Sequence, residues 1–481
     1  MNLSEPQAAR RLARSASACA LALLLAACST VRPWINPQIP PDAPVQPMVR
    51  TVASTDTQAR ERPVIAALTL SGGGARAAAF GLGVLQELKA TRFDTQAGET
   101  TLLDEVGLVS AVSGGSILAA YYAAFGDDVF TNFERDFLLV NFQTGLVHQI
   151  MSPRSTYRLT SPWWGRTDIL AERLETVFRG KTFGDLRRRR PWPRLLVTAT
   201  DLTTGVPFEF TPEQFALICS DLDAVPLSFA VAASSAVPVL LSPVTVRNYA
   251  GTCTQAQDVE TAMPSERNLS ARVLYRIAES YRNAQERPYI HLVDGGIVDN
   301  LGVRSLVDHT IASGSLLASF RSLPPGSVHK VVLVTVNSER GIVTEIDATD
   351  RVPNIPQVLN TLVFGAGSRF SEETTEMVKD AAQRIAGELR EARGRGSSPF
   401  AADAELYLVN VSLRDLKDER MRKVLMDVPT AFEILPAHAR DLEAAGRQAL
   451  RDHPEFQRLR RSLGTPAMAT GSASDDATDS P

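Results

Sequence analysis

Val106-Gly107-Leu108-Val109-Ser110-Ala111-Val112-Ser113-Gly114-Gly115-Ser116 is an apolar run that breaks at a Ser-Gly-Gly corner. A second stretch has the same form: Val64-Ile65-Ala66-Ala67-Leu68-Thr69-Leu70, then Ser71-Gly72-Gly73-Gly74-Ala75-Arg76-Ala77. Both runs are nearly continuous in apolar character, as expected for strands buried on both faces of a parallel sheet. Helices are predicted after them, over 75–89 and 116–125. Further strand-type runs fall at 195–200, 290–293, 331–336 and 406–411. Met377, Ala381, Ile385 and Leu389 recur at i+4 and mark one face of a later amphipathic helix. Alternating strand and helix predict a three-layer α/β/α fold. Ligands in such folds bind beyond the carboxyl ends of the strands, so the chemistry belongs in the turns that follow them.

The composition is that of a globular chain. Of 481 residues, 44% are apolar, 22% charged and 6% aromatic, which excludes a collagen, a wholly disordered chain and a disulfide-scaffold miniprotein. Fifty Lys and Arg against 54 Asp and Glu give a formal charge of −4, which argues against nucleic acid as a partner held by bulk charge. No unbroken apolar run reaches the roughly 18 residues of a membrane span.

The ends of the chain are of another kind. Arg10, Arg11 and Arg14 precede an apolar run over 16–27, the form of a secretory signal. Leu25-Ala26-Ala27-Cys28 resembles the bacterial lipobox, which implies cleavage after Ala27 and acylation of Cys28. The alternative is ordinary cleavage that leaves Cys28 unmodified. Ser29 follows instead of Asp, which in lipoproteins favours the outer membrane. Residues 1–27 are thus read as a lipoprotein signal peptide and 28–62 as a Pro-rich tether. The expected location is the bacterial cell envelope, lipid-anchored. Residues 63–339 are read as the main α/β domain that holds both glycine corners, 340–463 as an α/β C-terminal extension packed on the core, and 464–481 as a disordered tail. Cys219 and Cys253 are either a disulfide or two free thiols.

Three turns carry candidate chemistry. Gly72-Gly73-Gly74 at a strand-to-helix turn suits an anion, because backbone N–H groups converge there. A phosphate loop would need Gly-Lys-Ser/Thr where Ala77-Ala78-Ala79 stands, and a dinucleotide fingerprint would need Gly at 77. An oxyanion hole needs only amides, and a plain tight turn needs nothing more. Ser113 sits where a nucleophile elbow exposes its Oγ, although the usual first Gly of that elbow is Ala111. Asp294-Gly295-Gly296 follows the 290–293 run and falls at the same carboxyl edge as Ser113. An Asp before two glycines also makes an ordinary Asx turn. None of the six histidines (148, 291, 309, 329, 438, 453) occupies a glycine-rich turn, so each reads as a surface or core residue.

Taken together, the turns resemble the patatin-like phospholipase family. The residues that carry the likeness are Gly72-Gly73-Gly74-Ala75-Arg76, Ala111-Val112-Ser113-Gly114-Gly115 and Asp294-Gly295-Gly296, in that order. Secondary landmarks are Thr182 to Leu186, Ala199 to Gly205, Ala233 to Pro238 and Val298-Asp299-Asn300. The resemblance implies a Ser-Asp dyad without histidine. Ser113 is then the nucleophile and Asp294 its base. Gly72, Gly73, Gly74 and Arg76 build the oxyanion hole, Ala111 and Gly115 shape the elbow, and Gly295 and Gly296 shape the turn at the acid. Ala77 and Ala111 depart from the family's glycines and put turn geometry in question. A lipid acyl hydrolase of phospholipase A or lysophospholipase type is implied, with no cofactor and no metal. Its substrate is a phospholipid or other lipid ester, and the membrane is its second partner, through the anchor. The rival readings are a short-chain esterase or acyltransferase, and an inactive lipid-binding scaffold. Trp163 and Trp164 either touch lipid or pack under a loop. Phe125, Phe130, Phe133, Phe137 and Phe142 read as core, and Arg187 to Arg190 as a solvated basic corner.

Overall fold

A computed structural model describes residues 29–41, 63–96, 98–189, 193–253, 268–312, 320, 323–340, 347 and 350–464. The signal peptide, the acylation of Cys28, tether residues 42–62 and the tail beyond Gly464 lie outside the described residues. The strands are β1 (Val64–Leu70), β2 (Arg92–Thr95), β3 (Gly98–Thr101), β4 (Val106–Val112), β5 (Arg194–Asp201), β6 (Val206–Glu209), β7 (Val244–Arg247), β8 (Tyr289–Val293), β9 (Val328–Asn337) and β10 (Phe400–Ser412). Six helices matter for the site: α1 (Gly74–Ala90), α2 (Ser113–Phe125), α3 (Arg166–Phe178), α4 (Leu227–Ser234), α5 (Ile355–Ala392) and α6 (Pro436–Asp452).

The central sheet runs β10-β9-β1-β4-β5-β8-β7, with β6 paired to β5. From β10 to β5 every pairing is parallel, with Leu70 beside Ala111 and Val336, and Val112 beside Thr198. All seven residues of β4 are buried, as its unbroken apolar pattern predicts. Each fully buried Val or Leu there contributes roughly 1.5–3 kcal/mol relative to exposure.

The expectation of a parallel sheet fails at its far side. β8 is antiparallel to β5, and the sheet is mixed. β8 pairs with β5 only at Thr200–Val293 and Asp201–Leu292. It therefore starts beyond the carboxyl edge of β5 and runs back toward it. Asp294 still arrives beside the end of β4, but from the opposite direction to the one its strand pattern suggested. Apolar periodicity reports burial and carries no sign of strand direction.

Helices cover both faces. On one, α1 packs against α2 and α6 over the main core. α1 and α6 cross at two glycines: a Cβ on Gly83 would lie 2.0 Å from the Glu443 carbonyl, and one on Gly446 2.1 Å from that of Phe80. On the other face, Leu389 and Ala392 of α5 pack with Ile65, Val328 and Phe400. The chain beyond 340 thus supplies an edge strand and a helix on each face. Phe133, Phe137 and Phe142 are buried in the main core, with Phe125 and Phe130 packed against it. Arg187 and Arg188 at the basic corner pair with Asp223 and Asp185.

Cys219 and Cys253 are joined by a disulfide, with Cα atoms 5.6 Å apart. The described part of the Pro-rich stretch lies on the domain. Asn36 is buried and donates to Ser220 Oγ (2.7 Å) and to the Arg247 carbonyl (3.0 Å), and the Ile39 N–H donates to the Cys219 carbonyl (2.9 Å).

Candidate active site

β4 ends at Val112 and α2 begins at Ser113, so no linker separates strand from helix. The chain turns within one residue, which places Ser113 at φ 49. A non-glycine residue at positive φ is uncommon and costs roughly 1–3 kcal/mol. Two neighbours hold it: Ser234 Oγ accepts the Ser113 N–H (2.8 Å), and Ser116 Oγ donates to the Ser113 carbonyl (2.5 Å). Ser234 in turn donates to the Thr198 carbonyl (2.6 Å), tying α4, β5 and the corner together.

Ser113 Oγ donates to Asp294 Oδ2 at 2.9 Å. The two residues are 8% and 6% exposed, so the pair is shielded but reachable. Asp294 is held from three sides. Its other oxygen accepts the Gly296 N–H (2.7 Å), its carbonyl accepts from Thr200 Oγ1 (2.8 Å), and its own N–H donates to the Ala236 carbonyl (3.0 Å). Gly295 sits where a Cβ would be 2.2 Å from the Thr198 carbonyl. Burial pushes the Asp294 carboxyl up to about 6, against the opposing pull of the Gly296 N–H and the Ser113 hydroxyl. Its acid–base range thereby approaches neutrality.

The glycine-rich turn lies against this corner. Gly73 and Gly74 have φ 140 and 63, and among the described residues no hydrogen bond takes their amides. The Gly72 N–H is already committed to the Asn300 carbonyl (2.9 Å). Gly72 faces Ser113: a Cβ on it would lie 3.4 Å from Ser113 Cβ and 2.4 Å from Asn300 Oδ1. Gly114 is stacked directly on Gly74, where an added Cβ would meet its N and O at 2.3 and 2.2 Å. A Cβ on Gly115 would lie 2.5 Å from the Ser71 carbonyl oxygen.

Arg76 is placed differently from the expectation. It is buried, and its guanidinium donates to the Ser338 carbonyl (3.0 Å), the Val428 carbonyl (2.5 Å) and Thr430 Oγ1 (3.2 Å). It ties the glycine turn to the C-terminal region behind it. Ala111 lies inside β4 and Ala77 inside α1, and neither has a positive φ. The two departures from glycine therefore fall in regular elements where alanine fits.

Ser234 and Asn300 fall in the secondary landmarks of the resemblance, which give them no role of their own, and the 428–431 segment, 350 residues downstream, carries no local chemical signal. Of the two tryptophans, Trp164 is nearly buried under Arg158, while Trp163 is exposed beneath Arg32. A cavity of about 200 Å3 lined by Ala123, Phe125, Lys181 and Arg188 sits at the other end of α2, remote from Ser113. Among the described residues, no group of three or more His, Cys, Asp or Glu side chains is placed to hold a metal ion.

Fold and site together define an α/β protein with a serine hydroxyl and a carboxylate at one sheet edge, beside a glycine-rich turn. Residues 68–307 match the family model described as patatin-like phospholipase, and over that span the chain belongs to the patatin-like phospholipase family. No curated protein matches the chain in sequence. Among solved structures, human GIVD cytosolic phospholipase A2 is 13% identical, with a TM-score of 0.45 over 85% of this chain and 63% of that one. VipD from Legionella pneumophila is 14% identical, with a TM-score of 0.31 over 84% of this chain and 67% of that one. The chain thus spans less than two thirds of the length of the human protein.

Proposed function

We propose that the protein is a lipid acyl hydrolase of phospholipase A or lysophospholipase type, working through a Ser113–Asp294 dyad. The observation that carries this reading is the 2.9 Å hydrogen bond between the two side chains, shielded at the end of β4. Asp294 takes the hydroxyl proton as Ser113 Oγ attacks the ester carbonyl carbon. The carbonyl π electrons move to oxygen, and the free amides of Gly73 and Gly74 receive the resulting oxyanion. One such donor is worth roughly 3–4 kcal/mol. The C–O bond then breaks, and the leaving alcohol takes its proton from Asp294. Water, deprotonated by the same carboxylate, then attacks the acyl carbon; the bond to Ser113 Oγ breaks, Asp294 returns the proton to that oxygen, and the fatty acid leaves. Arg76 and Gly72 position the loop and are not donors in this scheme.

The lipid anchor at Cys28 and an outer-membrane location belong to the same proposal. The Leu25-Ala26-Ala27-Cys28 motif supports the anchor, and the Cys219–Cys253 disulfide suits an oxidising compartment. Labelling by a fluorophosphonate tests the dyad. Wild type should be labelled and Ser113→Ala should not; labelling of both, or of neither, sinks the reading. Fatty-acid release from phospholipid vesicles and from a soluble short-chain ester separates a lipid hydrolase from a short-chain esterase.

A further inference from the structure

Exposed apolar side chains collect on one side of the dyad. From Ala236, whose carbonyl accepts the Asp294 N–H, the chain runs directly into Val237–Leu241. Val239 and Leu240 there are 54% and 67% exposed. Val239 has φ 74, which a β-branched residue rarely adopts. The turn is held by Arg166 Nη2 on the Val239 carbonyl (2.7 Å) and by the Leu241 N–H on the Val237 carbonyl (2.9 Å). A strained backbone that presents two aliphatic side chains to solvent adds nothing to the core. The start of α3 adjoins this turn, and the residues leading into it carry further exposed apolar side chains. Thr167 N donates to Ser242 Oγ (3.3 Å), and just before it stands Trp163, with Tyr157 and Met151 exposed further along.

Arginines outnumber acids on this face. Residues 29–41, 147–168 and 235–242 contain Arg32, Arg154, Arg158 and Arg166, and one acid, Asp168. Arg158 is paired to Glu172 (2.7 Å), and the other three arginines lie outside that pair. Asp168 is turned inward, with Oδ2 on the Gly165 N–H (2.7 Å). Arg32 lies over the exposed ring of Trp163 at 3.3 Å.

The N-terminal chain enters the fold here. Ser29 is buried, with its N–H on Thr160 Oγ1 (2.9 Å), and Ser161 Oγ donates to the Val31 carbonyl (2.7 Å). Residues 29–32 are therefore pinned beside Tyr157 and Trp163. The described chain thus begins beside this face.

We infer that the face formed by Val239, Leu240, Trp163, Tyr157 and Arg32 seats the domain on an anionic lipid surface. The N-terminal segment fixes the orientation, so that the Ser113 mouth faces the bilayer that holds Cys28. This rests on the lipid hydrolase reading. Aliphatic tips insert among acyl chains, while an aromatic ring and arginines suit the headgroup level and its phosphates. A lipid fits better than a protein partner, because the patch adjoins a site whose substrate is lipid and the proposed anchor enters beside it.

The test uses the full chain with a fluorophore on Leu240→Cys, and a control on Glu99→Cys in the β2–β3 hairpin at the opposite edge of the sheet. Vesicles contain phosphatidylglycerol and phosphatidylcholine, with brominated acyl chains as quenchers. Quenching at 240 and none at 99 is expected. Equal quenching at both positions, or none at 240 as a protein-binding patch would give, overturns the proposal. In Leu240→Ser/Trp163→Ser, the ratio of vesicle to soluble-ester turnover should fall about tenfold; an unchanged ratio also overturns it. If the wild type hydrolyses neither substrate, the hydrolase reading fails, while quenching still decides the docking face.

Discussion

The guanidinium of Arg76 donates to the carbonyl of Val428 at 2.5 Å, across 352 residues of chain. Arg76 stands two positions after Gly74, and next to it the Ala75 N–H donates to the Ala431 carbonyl (2.7 Å). The glycine turn, whose amides face the proposed oxyanion, is therefore backed by a loop from the C-terminal region. A Cβ on Gly74 would lie 2.2 Å from the Ala431 carbonyl oxygen, so the two backbones are in direct contact.

Arg76→Ala should both destabilise the protein and slow turnover. It leaves the Ser338 and Val428 carbonyls without their donor in a buried setting, at a cost of about 2–4 kcal/mol. Arg76→Lys keeps a charge but not the planar fork, and should fall between wild type and alanine. Urea unfolding and kcat on a soluble ester are the measurements. Wild-type kcat in Arg76→Ala would remove the positioning role.

Gly114→Ala should reduce turnover by roughly a hundredfold, because a displacement on the order of 1 Å near the reacting atoms has that effect. Its Cβ would need the space held by Gly74 N and O at 2.3 and 2.2 Å. Gly387→Ala is the control. That residue lies within α5 with open space where its Cβ would go, and the change should stabilise by up to about 1 kcal/mol. Comparable activity in the two variants would show that the contact with the glycine turn does not matter.

The raised acid range of Asp294 predicts two pH dependences of opposite sense. Below about 6 the buried carboxyl is neutral and cannot take the Ser113 proton, so turnover of a soluble ester should rise as pH increases through about 6. Stability runs the other way. The folded value lies above the ordinary 3.8, so burial of the charged form carries a cost that is absent below 3.8 and complete above about 6. Asp294→Asn should therefore be inactive yet more stable than wild type near neutral pH, by on the order of 1–3 kcal/mol. That advantage should vanish in acid. Equal unfolding midpoints at both pH values would show that the carboxylate is not held at a cost.

Much of the site was legible because it is local. β1 and β4 are continuous apolar runs that stop at glycine-rich corners, and residues 64–70 and 106–112 form strands with those bounds. Ala77 and Ala111 left the turn geometry in question; the positive φ values fall instead at Gly73, Gly74 and Ser113. Asp294 was placed at the right edge, although its strand approaches from the other side.

Short-range sterics and apolar periodicity act over a few residues, so the order of amino acids by itself determined which segments become buried strands, where they break, and which side chains stand at the breaks. Contacts made across the whole chain leave no such trace. The antiparallel entry of β8, the Ser234 bond that holds the Ser113 amide, the turn of Arg76 toward Val428 and the seating of Ser29 against Thr160 were decided only when the layers packed, because each depends on which distant polar group comes to lie beside a backbone or side-chain partner.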